Sequence, residues 1–144
     1  MYTYQYPRPA LTVDIVVFQF VNSRMEVLLV QRKQPPFQGR WALPGGFVNM
    51  DETLEAAAAR ELAEETGLVN LHLQQVHTYG DPERDPRGRV VSVSYCGTLR
   101  AADSNSISAG SDAGDVRWFN ITRLPDLAFD HFQIIQDALQ QIHK

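Results

Sequence analysis

The chain has 144 residues, enough for one domain with its own apolar core and no need of disulfides or structural metal. Its net charge of −4 argues against a duplex nucleic-acid partner, which wants a basic face, and a lone cysteine, Cys96, excludes disulfide frameworks and cysteine zinc sites. A hydrophobic content of 44% is that of soluble globular proteins, and no apolar run approaches the roughly 20 residues of a membrane span.

Met1 to Ala10, rich in Tyr and Pro, reads as an extended arm without a signal-peptide core, so the default compartment is the cytoplasm. Leu11 to Phe20 is a β-branched and aromatic run, hence a buried strand, interrupted by one acid, Asp14, that faces a sheet edge or the site. Val21 to Arg24 predicts a hairpin turn into a strand over Met25 to Gln31. Arg32 then stands where a strand gives way to a polar loop, a usual place for ligand contacts. Trp41 offers either a core ring or a stacking face, and the bare backbone at Gly45 and Gly46 leaves carbonyls open to a metal.

The next stretch holds the chemistry. Asp51 as N-cap, Ala56 to Ala59 and Leu62 as helix formers, and Gly67 at the C-terminal cap predict a helix of about four turns. Glu61, Glu64 and Glu65 fall at i, i+3 and i+4, within a sector of about 100°. Taken alone, three glutamates would make an ordinary solvated acidic face. Crowded together with only Arg60 to answer them, they also form the oxygen-rich, charged ligand set that a hard cation such as Mg²⁺ prefers.

Beyond the helix, Leu71 to Tyr79 predicts a strand, and Gly80 to Arg89 a loop of fixed path with two Asp-Pro pairs. Arg84, Arg87 and Arg89 make that loop the natural place to bind a phosphate, against the plainer reading of a salt-bridged surface. Val90 to Leu99 alternates as a half-buried strand, Ala102 to Gly114 is a polar loop resembling a lid, and Val116 to Phe119 is a short strand. Asp130 and Gln133 form a capping box for a last helix, whose stripe of Phe132, Ile135, Leu139 and Ile142 should pack on a sheet. No repeat is present, and these elements predict a single α+β domain over 1–144, a mixed α/β sandwich, with 1–10 as its arm.

The spacing of the acidic stretch is specific. Gly46, five residues, Glu52, seven residues, Arg60-Glu61-Leu62, one residue, Glu64-Glu65, one residue, Gly67-Leu68 resembles the signature of the Nudix hydrolases at every specified position. The resemblance implies a mixed sheet between helices with a loop–helix–loop catalytic motif, and hydrolysis of a nucleoside diphosphate linked to another group. It implies Mg²⁺, with Mn²⁺ as an alternative, held by Glu61, Glu64, Glu65 and a backbone carbonyl of Gly45 or Gly46. In the family pattern Glu52, Arg60 and Gly67 are structural. An acid from a downstream loop serves some members as ligand or base, and Asp112 is the first candidate here, Asp115 the second.

Gly39 to Val48, Gly80 to Val93 and Leu127 to Ile135 look like ADP-ribose pyrophosphatases, and like the Nudix domain of ADP-ribose-binding regulators of NAD metabolism. The implied reaction is ADP-ribose and water to AMP and ribose 5-phosphate, with Arg32, Trp41, Arg84, Arg87 and Arg89 as substrate contacts. Two alternatives stand beside it: a hydrolase of oxidised nucleoside triphosphates or another nucleoside diphosphate derivative, and a sensor that binds ADP-ribose without cleaving it. The expected partner is a small nucleotide, with neither nucleic acid nor membrane, and the arm would suit a homodimer.

Overall fold

Seven strands and two helices follow one another in the computed structural model, which describes residues 2–100, 107 and 113–143. They are β1 (Ala10–Val21), β2 (Arg24–Arg32), β3 (Trp41–Ala42), β4 (Gly45–Phe47), α1 (Leu54–Thr66), β5 (Gln74–Tyr79), β6 (Val90–Leu99), β7 (Ala113–Asn120) and α2 (His131–Ile142). The strands form one mixed sheet in the order β3-β2-β1-β6-β5, with β4 added to β1 and β7 to β2. Among the strands of the described residues β1 and β6 are the pair that runs parallel, in register from Ala10 opposite Val90 to Gln19 opposite Leu99.

The pleat explains the layering. On β1, Val13, Ile15 and Val17 point to one face and join Ala57, Ala58 and Leu62 of α1. Val16 and Phe18 point to the other and join Ile134, Ile135 and Ala138 of α2. Both faces of the sheet are thus covered, an α+β sandwich with the sheet between helices. The double cover also buries β6 on both faces, where alternation alone suggested a half-buried strand. Among the described residues no helix is long and apolar enough to cross a membrane.

Local chemistry sets the boundaries. Asn22 and Ser23 both take positive φ, as a two-residue hairpin turn between β1 and β2 requires. The N-cap of α1 is Thr53, not Asp51: its extended backbone lets Oγ1 accept from Ala56 N at 3.0 Å. Gly67 closes the helix at φ 82° with its N–H on Ala63 O. Asp130 precedes α2 but caps nothing through its side chain, because the carboxylate is taken by Arg84 and Gln133 turns to Asp137. The buried face of α2 is His131, Ile134, Ile135 and Ala138, and Phe132, expected inside, is 56% exposed. Strand β5 begins at Gln74 rather than Leu71.

Candidate active site

Helix α1 enters beneath β4, and its three glutamates meet different surroundings. Glu64 stands mostly in solvent, while the side chain of Glu61 is 13% exposed. Glu65 is turned inward and lines a cleft of about 220 Å³ together with Gly45, Gly46, Phe47, Arg32, Arg87 and Phe129. Its Oε2 accepts from Gly45 N at 2.6 Å, which ties the helix to the glycine strand.

Arg60 organises the acidic face. It grips Glu52 bidentately at 2.6 and 2.9 Å, reaches Glu61 at 2.9 Å and Glu64 at 3.2 Å, and donates to Phe47 O. Glu52 also accepts from Asn49 N, so this pair fastens the loop from Phe47 to Glu52 against the helix. The hydrogen bonds from Arg60, and then from Asn49, hold the Glu52 carboxyl down at about 2.

Glu61 and Glu65 respond the opposite way. Burial first, with neighbouring carboxylates adding to it, pushes Glu65 up to about 8, and burial raises Glu61 as well. A carboxylate so placed lacks positive charge, and Glu65 gets none from Arg60. The Gly46 backbone lies against Glu61 so closely that a Cβ there would sit 2.6 Å from the carboxylate. Oxygen donors, bare backbone and a deficit of positive charge fit a hard divalent cation in their chemistry. The expected convergence of all three glutamates is not what the placement shows. Among the described residues no three such groups stand close enough to hold one ion, because Arg60 engages Glu61 and Glu64 while the Gly45 amide engages Glu65.

The floor of the cleft is a buried polar network that the sequence reading missed. Asp14, on the central strand, accepts from Ser92 Oγ at 2.5 Å and lies 3.9 Å from Arg84 and 3.4 Å from His131 Nε2. His131 Nδ1 accepts from Leu43 N at 2.9 Å, which puts the ring proton on Nε2, facing Asp14. Burial holds the His131 pKa below its ordinary value, so the imidazole is neutral. The one signal for this network was an acid inside a β-branched run; nothing local pointed to His131.

The arginines of the Gly80-to-Arg89 loop separate. Arg84 is buried and pairs with Asp130 at 2.6 and 2.8 Å, so it joins the loop to the start of α2. Arg87 faces the cleft, held by Asp85 at 2.7 Å, with Phe47 and Phe129 at 5.0 and 5.2 Å from its guanidinium. Arg89 is exposed and outside the cleft lining. Trp41 is also outside it: its ring packs edge-on to Phe119 at 4.8 Å with the α2-side core. Arg32 does line the cleft, with Nε on Pro36 O at 2.7 Å. Asp115 is engaged by Arg117 and its neighbour's amide. Asp112, and the Ala102-to-Gly114 lid that carries it, lie outside the described residues except at Ile107 and at Ala113 and Gly114, where β7 begins.

Comparison with known proteins agrees with this architecture. Residues 9–138 match the NUDIX domain. The chain is 40% identical over 135 residues to an ADP-ribose pyrophosphatase of Methanocaldococcus jannaschii, covering 94% of this chain and 76% of that protein. It is 38% identical to the ADPR responsive transcriptional repressor NtrR of Acinetobacter baylyi, covering 96% of this chain but only 56% of the repressor. Among solved structures, the NUDIX domain of Shewanella oneidensis NrtR complexed with ADP ribose superposes with a TM-score of 0.86 at 37% identity, covering 95% of this chain and 90% of that one.

Proposed function

We propose, for this chain that belongs to the NUDIX family, a divalent-metal-dependent pyrophosphohydrolase that cleaves ADP-ribose with water to AMP and ribose 5-phosphate. The observation that carries the reading is one cleft lined by Glu65 and the Gly45–Gly46 backbone together with Arg32 and Arg87. A diphosphate carries charge that this lining must answer. The arginines bind its oxygens, and guanidinium planes suit phosphate geometry. The ion, Mg²⁺ with Mn²⁺ as the alternative, would be held by Glu61, Glu64, Glu65 and a carbonyl of Gly45 or Gly46. When bound it supplies the positive charge that substrate and carboxylates both lack.

For the chain's own residues, Glu52 and Arg60 fix the loop that carries the glycines, and Gly67 ends the helix that carries the glutamates. Asp112 is the residue we assign as general base, tested by Asp112→Asn: a drop in kcat with KM unchanged supports it, and wild-type turnover rejects it. The partner is a small nucleotide, in keeping with a net charge of −4. The exposed Tyr2, Tyr4 and Tyr6 of the arm suit contact with a second copy, which sedimentation of the full chain against a chain lacking 1–9 would detect as a dimer lost.

A second reading has its own support. A sensor that binds ADP-ribose without cleaving it agrees with the NtrR likeness, and with an Arg60 that occupies two of the three metal-ligand candidates. A panel of ADP-ribose, other nucleoside diphosphate derivatives and oxidised nucleoside triphosphates, with Mg²⁺ and with chelator, separates the readings. Metal-dependent release of AMP and ribose 5-phosphate supports the first. Binding without product gives the sensor, and pyrophosphate released from a triphosphate would replace both.

A further inference from the structure

Phe129 stands where two cations meet. Its ring lies 5.0 Å from the Arg32 guanidinium and 5.2 Å from that of Arg87, and all three line the cleft. Like charges gathered at one spot repel, and the Arg32 pKa is lowered, first by burial and then by Arg87. Arg87 has Asp85 as counter-charge. Arg32 has no carboxylate in contact: among the described residues none comes within 4.0 Å, its guanidinium donates to the Pro36 carbonyl, and Asp85 and Glu65 act on it only from farther away. A half-buried cation with no carboxylate in contact, lining a cleft, is suited to meet an anion.

The ring is placed there deliberately by the backbone. Phe129 adopts φ 53° and its neighbour Phe37 φ 60°, a left-handed conformation rare for bulky residues, and the two rings meet edge to face at 4.9 Å. The His131 ring also lies against Phe129, at 5.3 Å. An aromatic face attracts guanidinium, and one ring approached by two holds both near it without neutralising either.

We propose that Phe129 is a positioning residue: its ring holds Arg32 and Arg87 so that both address the same diphosphate. This rests on the proposed diphosphate reading, and deepens it by assigning how the two arginines are presented.

The test uses inorganic pyrophosphate as probe, measured by calorimetry in chelator, with KM and kcat for ADP-ribose measured beside it. Phe129→Leu keeps apolar character at a site equally strained for either residue. It is expected to weaken pyrophosphate binding by about five- to thirty-fold and to raise KM similarly, with kcat within about twofold. Phe129→Tyr, which keeps the ring face, is expected to restore both. In an Arg32→Gln, Arg87→Gln background, Phe129→Leu should add nothing further. Should Phe129→Leu not fold, Phe129→Met takes its place. Unchanged pyrophosphate affinity, or a loss that Phe129→Tyr does not rescue, overturns the proposal, as does a fall in kcat at constant KM. Because binding of pyrophosphate needs no turnover, absence of ADP-ribose hydrolysis would reject the proposed activity and leave this inference standing on its own result.

Discussion

Gly45 and Gly46 are adjacent, yet substitution by alanine should fail in two different ways. A Cβ on Gly45 would lie 2.2 Å from Val13 O and 2.7 Å from Asp14 Oδ1, inside the backbone of the central strand. Neither β1 nor β4 can retreat, since β1 is clamped between β4 on one side and β6 on the other. Overpacking against a fixed backbone costs about 1–3 kcal/mol, and an overlap this deep belongs at or above the upper end. The lower unfolded-state entropy of alanine returns less than about 1 kcal/mol. At roughly 4 °C per kcal/mol for a domain of this size, Gly45→Ala should lower Tm by about 10 °C.

The three atoms nearest to a Cβ on Gly46 would all belong to the Glu61 carboxylate, at 2.6 to 2.7 Å. That group is the end of a flexible chain, so it can swing aside, and the stability cost should stay within about 1 kcal/mol. The carboxylate, however, is then displaced from the glycine strand by an ångström or more, and a misplacement of that size at a catalytic group costs about 100-fold in rate. Thermal melts and ADP-ribose hydrolysis with Mg²⁺, run on both variants, check the contrast. Wild-type turnover in Gly46→Ala would refute the claim that Glu61 must lie against Gly46. Equal Tm losses in the two variants would refute the distinction between a backbone and a side-chain clash.

Glu64→Gln and Glu65→Gln should each lose several orders of magnitude in kcat with the fold intact by circular dichroism, and full activity in both would end their assignment to the metal. For Glu65→Gln the metal-free melting temperature should hold or rise at pH 8, because an amide escapes the burial that disfavours the carboxylate while still accepting from Gly45 N. Arg84→Ala, by leaving Asp130 and the buried Asp14 without their cation, should cost about 3–5 kcal/mol in urea unfolding, whereas Arg87→Ala, which strands only Asp85, should cost less and also raise KM. Stability should also report His131: its folded pKa lies below 6.5, so the unfolded chain binds more protons under that pH, and stability present above 6.5 is lost as pH falls through it. Glu65, with a raised pKa, acts with the opposite sign between 4.5 and about 8, so the measurement belongs in Glu65→Gln, where urea midpoints at pH 7.5 and 5.5 that do not differ would contradict a neutral His131.

What could be read from the sequence was what is periodic or contiguous. The glutamates and their arginine lie within one helix, so spacing alone places Glu61, Glu64 and Glu65 near one another and Arg60 within reach. The strands of β1, β2 and β6 announce themselves by β-branched runs. The cleft opposite the helix is different in kind. It is assembled from Asp14, Arg32, Arg84, Arg87, Phe129 and His131, which come from one central strand, one strand end, one loop and the entry to α2. No local pattern ties Arg84 to Asp130, 46 residues on, or Leu43 to His131, 88 residues on. The same long-range pairing explains why the capping box at Asp130 failed: a buried guanidinium is a stronger claimant for a carboxylate than a partly solvated helix N–H. It also explains why three similar arginines in one loop have three fates, since Arg84 meets a carboxylate across the fold, Arg87 meets two aromatic rings, and Arg89 meets solvent. The helix thus specifies the class of chemistry from within a single segment. The selection of the ligand is a property of the topology, which brings the Gly80-to-Arg89 loop and the turn at Phe129 to the same edge of β1.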